Sequence, residues 1–159
     1  MSKRTITILR YVFFALIIGV LAMNLYQPAD CNKSVNTVTK QTMASVNTKS
    51  LEQQNNQEIK RFLQLDASMY DGIVYYKDSD TMKADELLIV KFKDHSQAED
   101  FNDKMQTRID SQKKIFSGYA PKEADKLDAA VVDVRANYAL YAVSKNADTF
   151  DQQFRAALK

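Results

Sequence analysis

The chain has 159 residues, and its 22 Lys and Arg against 20 Asp and Glu give a formal net charge of +2. This near balance argues against a nucleic-acid-binding surface, which needs a strong basic excess on one face. One histidine and one cysteine are too few for a zinc site, and three glycines are too few for a phosphate-binding loop.

An apolar segment stands near the N-terminus. Residues 11–23 form an uninterrupted apolar run, and Lys3, Arg4 and Arg10 precede it. Because a helix needs about 20 residues to cross a bilayer, the predicted transmembrane anchor extends over residues 6–26, with Arg10 reaching back to the headgroups. The positive-inside rule then makes residues 1–5 a cytoplasmic tail and places the rest of this single-pass chain outside the cell membrane.

The alternative for this segment is a signal peptide that is cleaved after export. Cleavage needs small residues just before the cut, and the sequence around residues 22–29 offers none in the right order. We therefore expect an uncleaved anchor. Within it, Ala15 and Gly19 form a small-xxx-small pair that would let another membrane helix approach closely.

Residues 27–49 are rich in Asn, Thr, Ser and Lys, with a thin apolar stripe at helical spacing. We interpret them as a polar stalk or a weak helix, since β-branched residues lower helix propensity. Cys31 has no intramolecular disulfide partner, which leaves an idle thiol or an intermolecular disulfide as alternatives.

Residues 50–159 are predicted to form an extracytoplasmic α+β domain. A capping box at Ser50 and Gln53 predicts a helix to about Gln64, and a second capping box at Ser96 and Glu99 predicts the longest helix. The other expected elements are strands at 73–77, 86–93, 130–134 and 138–144, a short helix from Pro121 and a last helix over 147–158. The order helix-β-β-helix-β-β-helix favours a four-stranded antiparallel sheet with helices packed on one face, preceded by the N-terminal transmembrane helix. The turn between the last two strands falls at residues 136–137, where Asn137 is able to adopt a left-handed conformation.

Two clusters in this domain carry candidate chemistry. One is an acidic loop that could hold Ca²⁺ through hard oxygen ligands or simply face solvent. Its members are Asp78, Asp80, Asp85 and Glu86. His95, by contrast, is predicted to be solvent-exposed next to the start of a helix rather than to act as a general base.

The second cluster is Arg108 and Gln112, one helical turn apart, with Tyr119 just beyond the helix. Arg108 could bind a carboxylate or phosphate bidentately, so these three residues are a candidate ligand or partner surface. The alternative is that Arg108 pairs with a nearby acid and Gln112 caps the following loop.

Several of these residues form a longer pattern over residues 63–144. It contains Ala84-Asp85-Glu86 before a strand, the motif R-x3-Q-x3-F-x2-Y-x-P from Arg108 to Pro121, and then Leu127, Ala130 and Tyr138. This pattern resembles a family of small extracytoplasmic proteins of Firmicutes that is defined as a domain of unknown function, with many lipoprotein-like members. The chain departs from it in lacking a lipobox before Cys31 and in having Asn137 where glycine is expected.

The resemblance also suggests an accessory role beside envelope polymer O-acyltransferase systems. From the residues, we expect a non-catalytic domain that docks onto a cell-envelope protein or complex, with no cofactor. A ligand or Ca²⁺ sensor is the alternative, and an enzyme that acts on glycans through paired carboxylates is a third class.

Overall fold

Five antiparallel strands form the centre of the fold in a computed structural model that describes residues 10–15, 17–18 and 29–159. The strands are β1 (Leu51–Gln53), β2 (Gly72–Asp78), β3 (Glu86–Lys91), β4 (Val131–Arg135) and β5 (Tyr138–Val143). Their order across the sheet is β1-β2-β3-β5-β4. The hairpins β2–β3 and β4–β5 lie side by side, because β3 pairs with β5 in the middle of the sheet.

Five α-helices in residues 29–159 cover both sides of this sheet, and a short 3-10 helix (Ala67–Met69) precedes β2. The α-helices are α1 (Val35–Met43), α2 (Asn56–Leu63), α3 (Gln97–Phe116), α4 (Pro121–Asp128) and α5 (Ala147–Ala157). Helices α2, α3 and α4 pack on the side that we call face one, and α1 and α5 pack on the opposite side, face two. The fold is therefore an α+β domain of three layers.

The central strands explain why helices are needed on both sides. Along β3, Leu88 and Val90 point to face one, whereas Leu87 and Ile89 point to face two, and all four are fully buried. A strand that is apolar on both sides has to be covered on both sides. The prediction of helices on one face is therefore wrong.

The predicted four strands are also too few, because β1 was assigned to a helix. Leu51–Gln53 pairs with the end of β2, and the Ser50 hydroxyl donates to the Asp78 carboxylate at 2.7 Å rather than capping a helix. Helix α2 begins after Asn55, whose side chain accepts from the backbone N–H groups of Gln57 and Glu58. Asparagine is among the best N-cap residues, so the helix starts there.

Helix α1 occupies much of the stretch that was expected to be a stalk or weak helix. Val38 is fully buried, and the buried Thr42 donates its hydroxyl to the Val38 carbonyl at 2.9 Å, which makes its burial tolerable. The helix lies so close to β2 that a Cβ atom on Gly72 would be 2.6 Å from Val35 Cγ1. Helix α1 is thus part of the folded domain.

Helix α3 shows the predicted apolar stripe, with Phe101, Met105, Ile109 and Phe116 buried on face one. Its predicted capping box is absent, since Ser96 makes no side-chain capping bond. Instead, the Gln97 side chain accepts from the backbone N–H groups of Lys93 and Asp94. Pro121 is the first residue of α4, as predicted.

The turn between β4 and β5 holds the start of the domain in place. Ala136, not Asn137, has the positive φ of 52°. The Asn137 side chain accepts from the Cys31 N–H at 2.9 Å and donates to the Cys31 carbonyl at 3.2 Å, while the Tyr138 hydroxyl donates to the Lys33 carbonyl at 2.7 Å. We call this end of the sheet the clamped end. The free thiol of Cys31 is buried there.

Part of the predicted anchor is described. Residues 10–15 and 17–18 are helical, and their large apolar side chains are exposed, with Tyr11 at 72%. Within the described residues, no helix combines the length and the apolar character that a membrane crossing requires. The remainder of the predicted span 6–26 lies outside the described residues. Of the predicted helix-contact pair, Ala15 is helical and exposed, and Gly19 falls outside the described part.

Candidate functional site

Arg108 lies on α3 and faces the sheet, where it pairs with Glu86 at the start of β3. Its Nε donates to one Glu86 carboxylate oxygen at 3.2 Å and its Nη2 donates to the other, so that the pair is bidentate. The side chains are 10% and 2% exposed. Burial lowers the pKa of Arg108, but its hydrogen bonds to Glu86 raise the pKa by more than burial lowers it. The net shift is upward, and the guanidinium stays charged.

Two tyrosines complete this buried cluster. The Tyr141 hydroxyl, on β5, donates to Glu86 at 3.3 Å. The Tyr75 hydroxyl, on β2, is buried and has no hydrogen-bond partner within the described part of the chain. Burial and the negative charge of Glu86 both raise the pKa of Tyr75 and of Tyr141, so both phenols remain neutral.

The other two residues of the predicted Arg108 surface lie apart from this pair. Gln112 is half-buried on α3 and makes no side-chain hydrogen bond among the residues described. Tyr119 is 48% exposed beyond the end of α3, with its ring 5.5 Å from that of Phe116. Arg108 faces the core, whereas Tyr119 faces solvent, so the structure separates them.

The acidic loop does not bring its four carboxylates together. Asp78 and Asp80 accept backbone N–H groups of Asp80 and Met82 at 2.9 Å and so shape the loop. Asp85 pairs with Lys126 and Glu86 pairs with Arg108. Across the described ranges, no three carboxylate, imidazole or thiolate groups lie close enough to hold a metal ion.

Glu123, which the sequence analysis did not single out, ties α4 to the end of this loop. Its carboxylate accepts from the Ala84 N–H at 3.0 Å, from Lys126 at 2.8 Å and from Lys83 at 3.4 Å. Burial raises the pKa of Glu123, but these bonds lower the pKa by more than burial raises it, so that it lies below the ordinary value for a glutamate. The i,i+3 spacing of Glu123 and Lys126 after Pro121 was the available signal in the sequence.

The same loop and the start of α4 form a groove of about 420 Å³ with an apolar floor. The apolar residues Met82, Ala120 and Pro121 line it together with the charged residues Lys83, Lys122 and Glu123. Met82 is 54% exposed, and Tyr119 adjoins the groove through Ala120. We call this feature the distal groove.

The distal groove and the clamped end lie at opposite ends of the sheet. The strand register places Lys77, Glu86 and Val143 side by side at the end next to the loop of residues 79–85. The register places Gly72, Lys91 and Tyr138 side by side at the other end, where residues 31–33 are clamped. About six residues of strand separate the two, which corresponds to about 20 Å.

Comparison with known protein families identifies the domain. A family model described as "Domain of unknown function (DUF4358)" matches residues 44–144, which is more than half of the chain. No curated protein and no solved structure matches significantly. The matched segment contains all five strands and helices α2, α3 and α4, whereas α1 and α5 lie outside it. The chain therefore belongs to the DUF4358 family, a domain whose function is unknown.

Proposed function

We propose that this chain is a membrane-anchored, extracytoplasmic, non-catalytic domain that docks onto a cell-envelope protein through the distal groove. The observation that carries the proposal is the groove itself. Met82 is about half exposed and lines the groove together with Ala120 and Pro121, and exposed apolar side chains grouped in this way are typical of protein-binding surfaces.

The position of the groove supports a protein partner over the chain's own bilayer. If residues 6–26 span the membrane, four residues remain before Cys31, which Asn137 fixes at the clamped end. Four residues reach about 14 Å at most, so the clamped end would lie against the membrane. The distal groove would then face away from the bilayer.

The charges around the groove indicate the chemistry of the partner. Lys83 and Lys122 are exposed beside the groove. Glu123, which also lines the groove, is buried and paired with Lys83 and Lys126, whereas Lys122 has no carboxylate partner in the described part of the chain. A complementary surface would present apolar side chains flanked by acidic ones. We therefore expect an acidic, apolar segment of an envelope protein, and an O-acyltransferase system is the candidate that the family resemblance suggests.

The network below the groove supports this binding role. Glu123 joins α4 to the backbone at Ala84, and Lys126 joins the same helix to Asp85. These bonds fix the two segments that form the groove before any partner arrives. Pre-organised surfaces bind with a smaller loss of conformational entropy.

Affinity purification from crosslinked membranes tests the docking proposal. Met82→Glu places a charge in the groove and should abolish recovery of the partner. Met69→Glu is the matched control, because Met69 is 60% exposed but lies near Gly72, toward the clamped end. A partner that is recovered equally with both variants, or no partner at all, would overturn the proposal.

Intact-mass measurement of the membrane-bound chain tests the anchor separately. The proposal requires an N-terminus at Met1 or Ser2. A mature chain that starts near Asp30 would show a cleaved signal peptide and would remove the anchor, while leaving the docking result unaffected.

A further inference from the structure

A cavity of about 330 Å³ lies between α2 and α3 on face one. Its floor is Phe62, and the basic side chains Arg61, Lys104 and Arg108 surround it. Its volume is at the lower end of the range of small-molecule sites. The cavity lies along α3 between residues 103 and 111, well before Tyr119, so it is separate from the distal groove.

Arg108 lines this cavity with three of its five N–H donors unused. Its Nε and one Nη2 hydrogen bind Glu86. A guanidinium has five N–H groups, and its Nη1–Nη2 edge is a second fork that fits a carboxylate bidentately. Within the described part of the chain, Nη1 has no hydrogen-bond acceptor, so this second edge is available to a ligand.

Glu86 and Phe62 hold the guanidinium in place for such a contact. Its central carbon lies 5.6 Å from the centre of the Phe62 ring, within the range of a cation–π interaction. Since Arg108 is already fixed by Glu86, little side-chain entropy would be lost on binding.

We propose that this cavity binds the carboxylate of a small organic acid, with Arg108 as the bidentate donor and the apolar part of the ligand on Phe62. A single negative charge fits best. Glu58 and Asp100 partly offset the positive charges of Arg61 and Lys104, and Asp103 also lines the wall. The charged groups at this site and their partners carry three positive and four negative charges, so a dianion such as phosphate would be repelled more strongly than a carboxylate.

The probe for a first test is 3-phenylpropionate, which combines a carboxylate with an apolar ring. It is titrated into the isotope-labelled full-length chain in non-ionic detergent, and the backbone amide signals of Phe62, Gln64 and Thr107 are followed. Saturable shifts confined to the cavity, with a Kd in the millimolar range or tighter, are expected. Its neutral amide, 3-phenylpropionamide, should give no such shifts.

Two variants test the assigned roles. Arg108→Lys keeps a positive charge beside Glu86 but removes the second fork, and it should weaken binding about tenfold or more. Arg61→Gln leaves Glu86 untouched, so it reports on the cavity even if Arg108→Lys disturbs folding, and it should weaken binding several-fold. Lys114→Gln, at an exposed position of α3 outside the cavity, is the control and should bind as the unaltered chain does.

Four outcomes would overturn the assignment. The first is the absence of a saturable shift up to about 20 mM probe, because a Kd above that value is too weak for a specific site. The second is equal shifts with the neutral amide, and the third is tighter binding of inorganic phosphate than of the carboxylate. The fourth is binding that is unchanged in both Arg108→Lys and Arg61→Gln.

Discussion

The two faces of the sheet are both covered by helices, but they are stabilised in different ways. Face one carries the two charged residues that are buried in the described chain, Glu86 under α3 and Glu123 on α4. On face two, the buried side chains are apolar or hydroxyl-bearing, such as Phe154 and Thr42. Face one therefore depends on keeping charged partners together, and face two depends on filling its volume.

The boundary of the family match follows the same division. Residues 44–144 include the sheet and every helix of face one, and both helices of face two lie outside. The DUF4358 match thus corresponds to a sheet with one helical layer. In this chain α1 and α5, which pack on each other and on the sheet, supply the second layer.

The largest effect is expected from Arg108→Ala, which leaves the Glu86 carboxylate buried without its bidentate partner. Such uncompensated charges cost about 3–5 kcal/mol. Urea unfolding of the full-length chain, followed by circular dichroism, measures the loss. A cost below about 1 kcal/mol would show that Glu86 reaches solvent and would remove the main difference between the faces.

The double variant Glu86→Leu/Arg108→Met is the control for this prediction. Replacing both charges by apolar groups of similar size removes the desolvation penalty together with the pair, so we expect stability within about 1 kcal/mol of the unaltered chain or above it. A double variant as unstable as Arg108→Ala would indicate a packing defect.

Val38→Ala tests whether face two depends on packing. Val38 is fully buried against the sheet, and removing two carbons from such a site costs about 2 kcal/mol. Asn36→Ala, on the exposed side of the same helix, should change the unfolding free energy by less than about 0.5 kcal/mol. Equal and negligible effects of the two would mean that α1 detaches from the domain in solution.

Helices α3 on face one and α1 on face two differ in how far the sequence predicts them. Helix α3 was predicted because large apolar residues such as Phe101 and Met105 recur at helical spacing over 20 residues. Helix α1 has nine residues, and its inward positions are Val38, Thr39 and Thr42, whose β-branched side chains signal a helix weakly. Its burial depends on the sheet beneath it, which local periodicity does not reveal.

The buried pair of Arg108 and Glu86 was also only partly predictable from local sequence patterns. Arg108 was singled out, and an acid partner was one of its two predicted alternatives, but that acid was assigned to a solvent-exposed loop. Asp85 and Glu86 are consecutive, but β3 begins at Glu86. Their carboxylates therefore pair with different residues, Asp85 with Lys126 and Glu86 with Arg108. The pair joins residues 22 positions apart on different elements, so no local pattern could identify it.

Glu123→Gln tests the second buried charge of face one through its pH dependence. Burial alone would raise the pKa of Glu123, but Lys126 and the Ala84 N–H lower it below 4.5. The fold thus favours the ionised form. Its contribution to stability is complete above about pH 5 and is lost as the pH falls through the folded-state pKa.

The unaltered chain should therefore be more stable than Glu123→Gln by about 1–2 kcal/mol at neutral pH, with the difference shrinking on acidification. Urea midpoints measured between about pH 3 and pH 7 follow this change. Asp125→Asn, an exposed position on the same helix, is the control and should show no comparable trend. A difference that stays constant with pH would mean that charge on Glu123 contributes nothing.

The smallest effects are expected from substitutions of the two buried tyrosines beside Glu86. These substitutions test whether each buried hydroxyl on face one has a hydrogen-bond partner. Tyr141→Phe removes a hydrogen bond to Glu86 and should cost about 1 kcal/mol. Tyr75→Phe removes a buried hydroxyl that has no partner in the described chain, so stability should be unchanged or slightly higher. Because the two changes remove the same atom from β2 and β5, the strands on either side of β3, the difference between their unfolding free energies isolates the hydrogen bond. If Tyr75→Phe costs as much as Tyr141→Phe, the Tyr75 hydroxyl has a bound partner such as a buried water, and the polar cluster of face one is larger than Arg108, Glu86 and Tyr141.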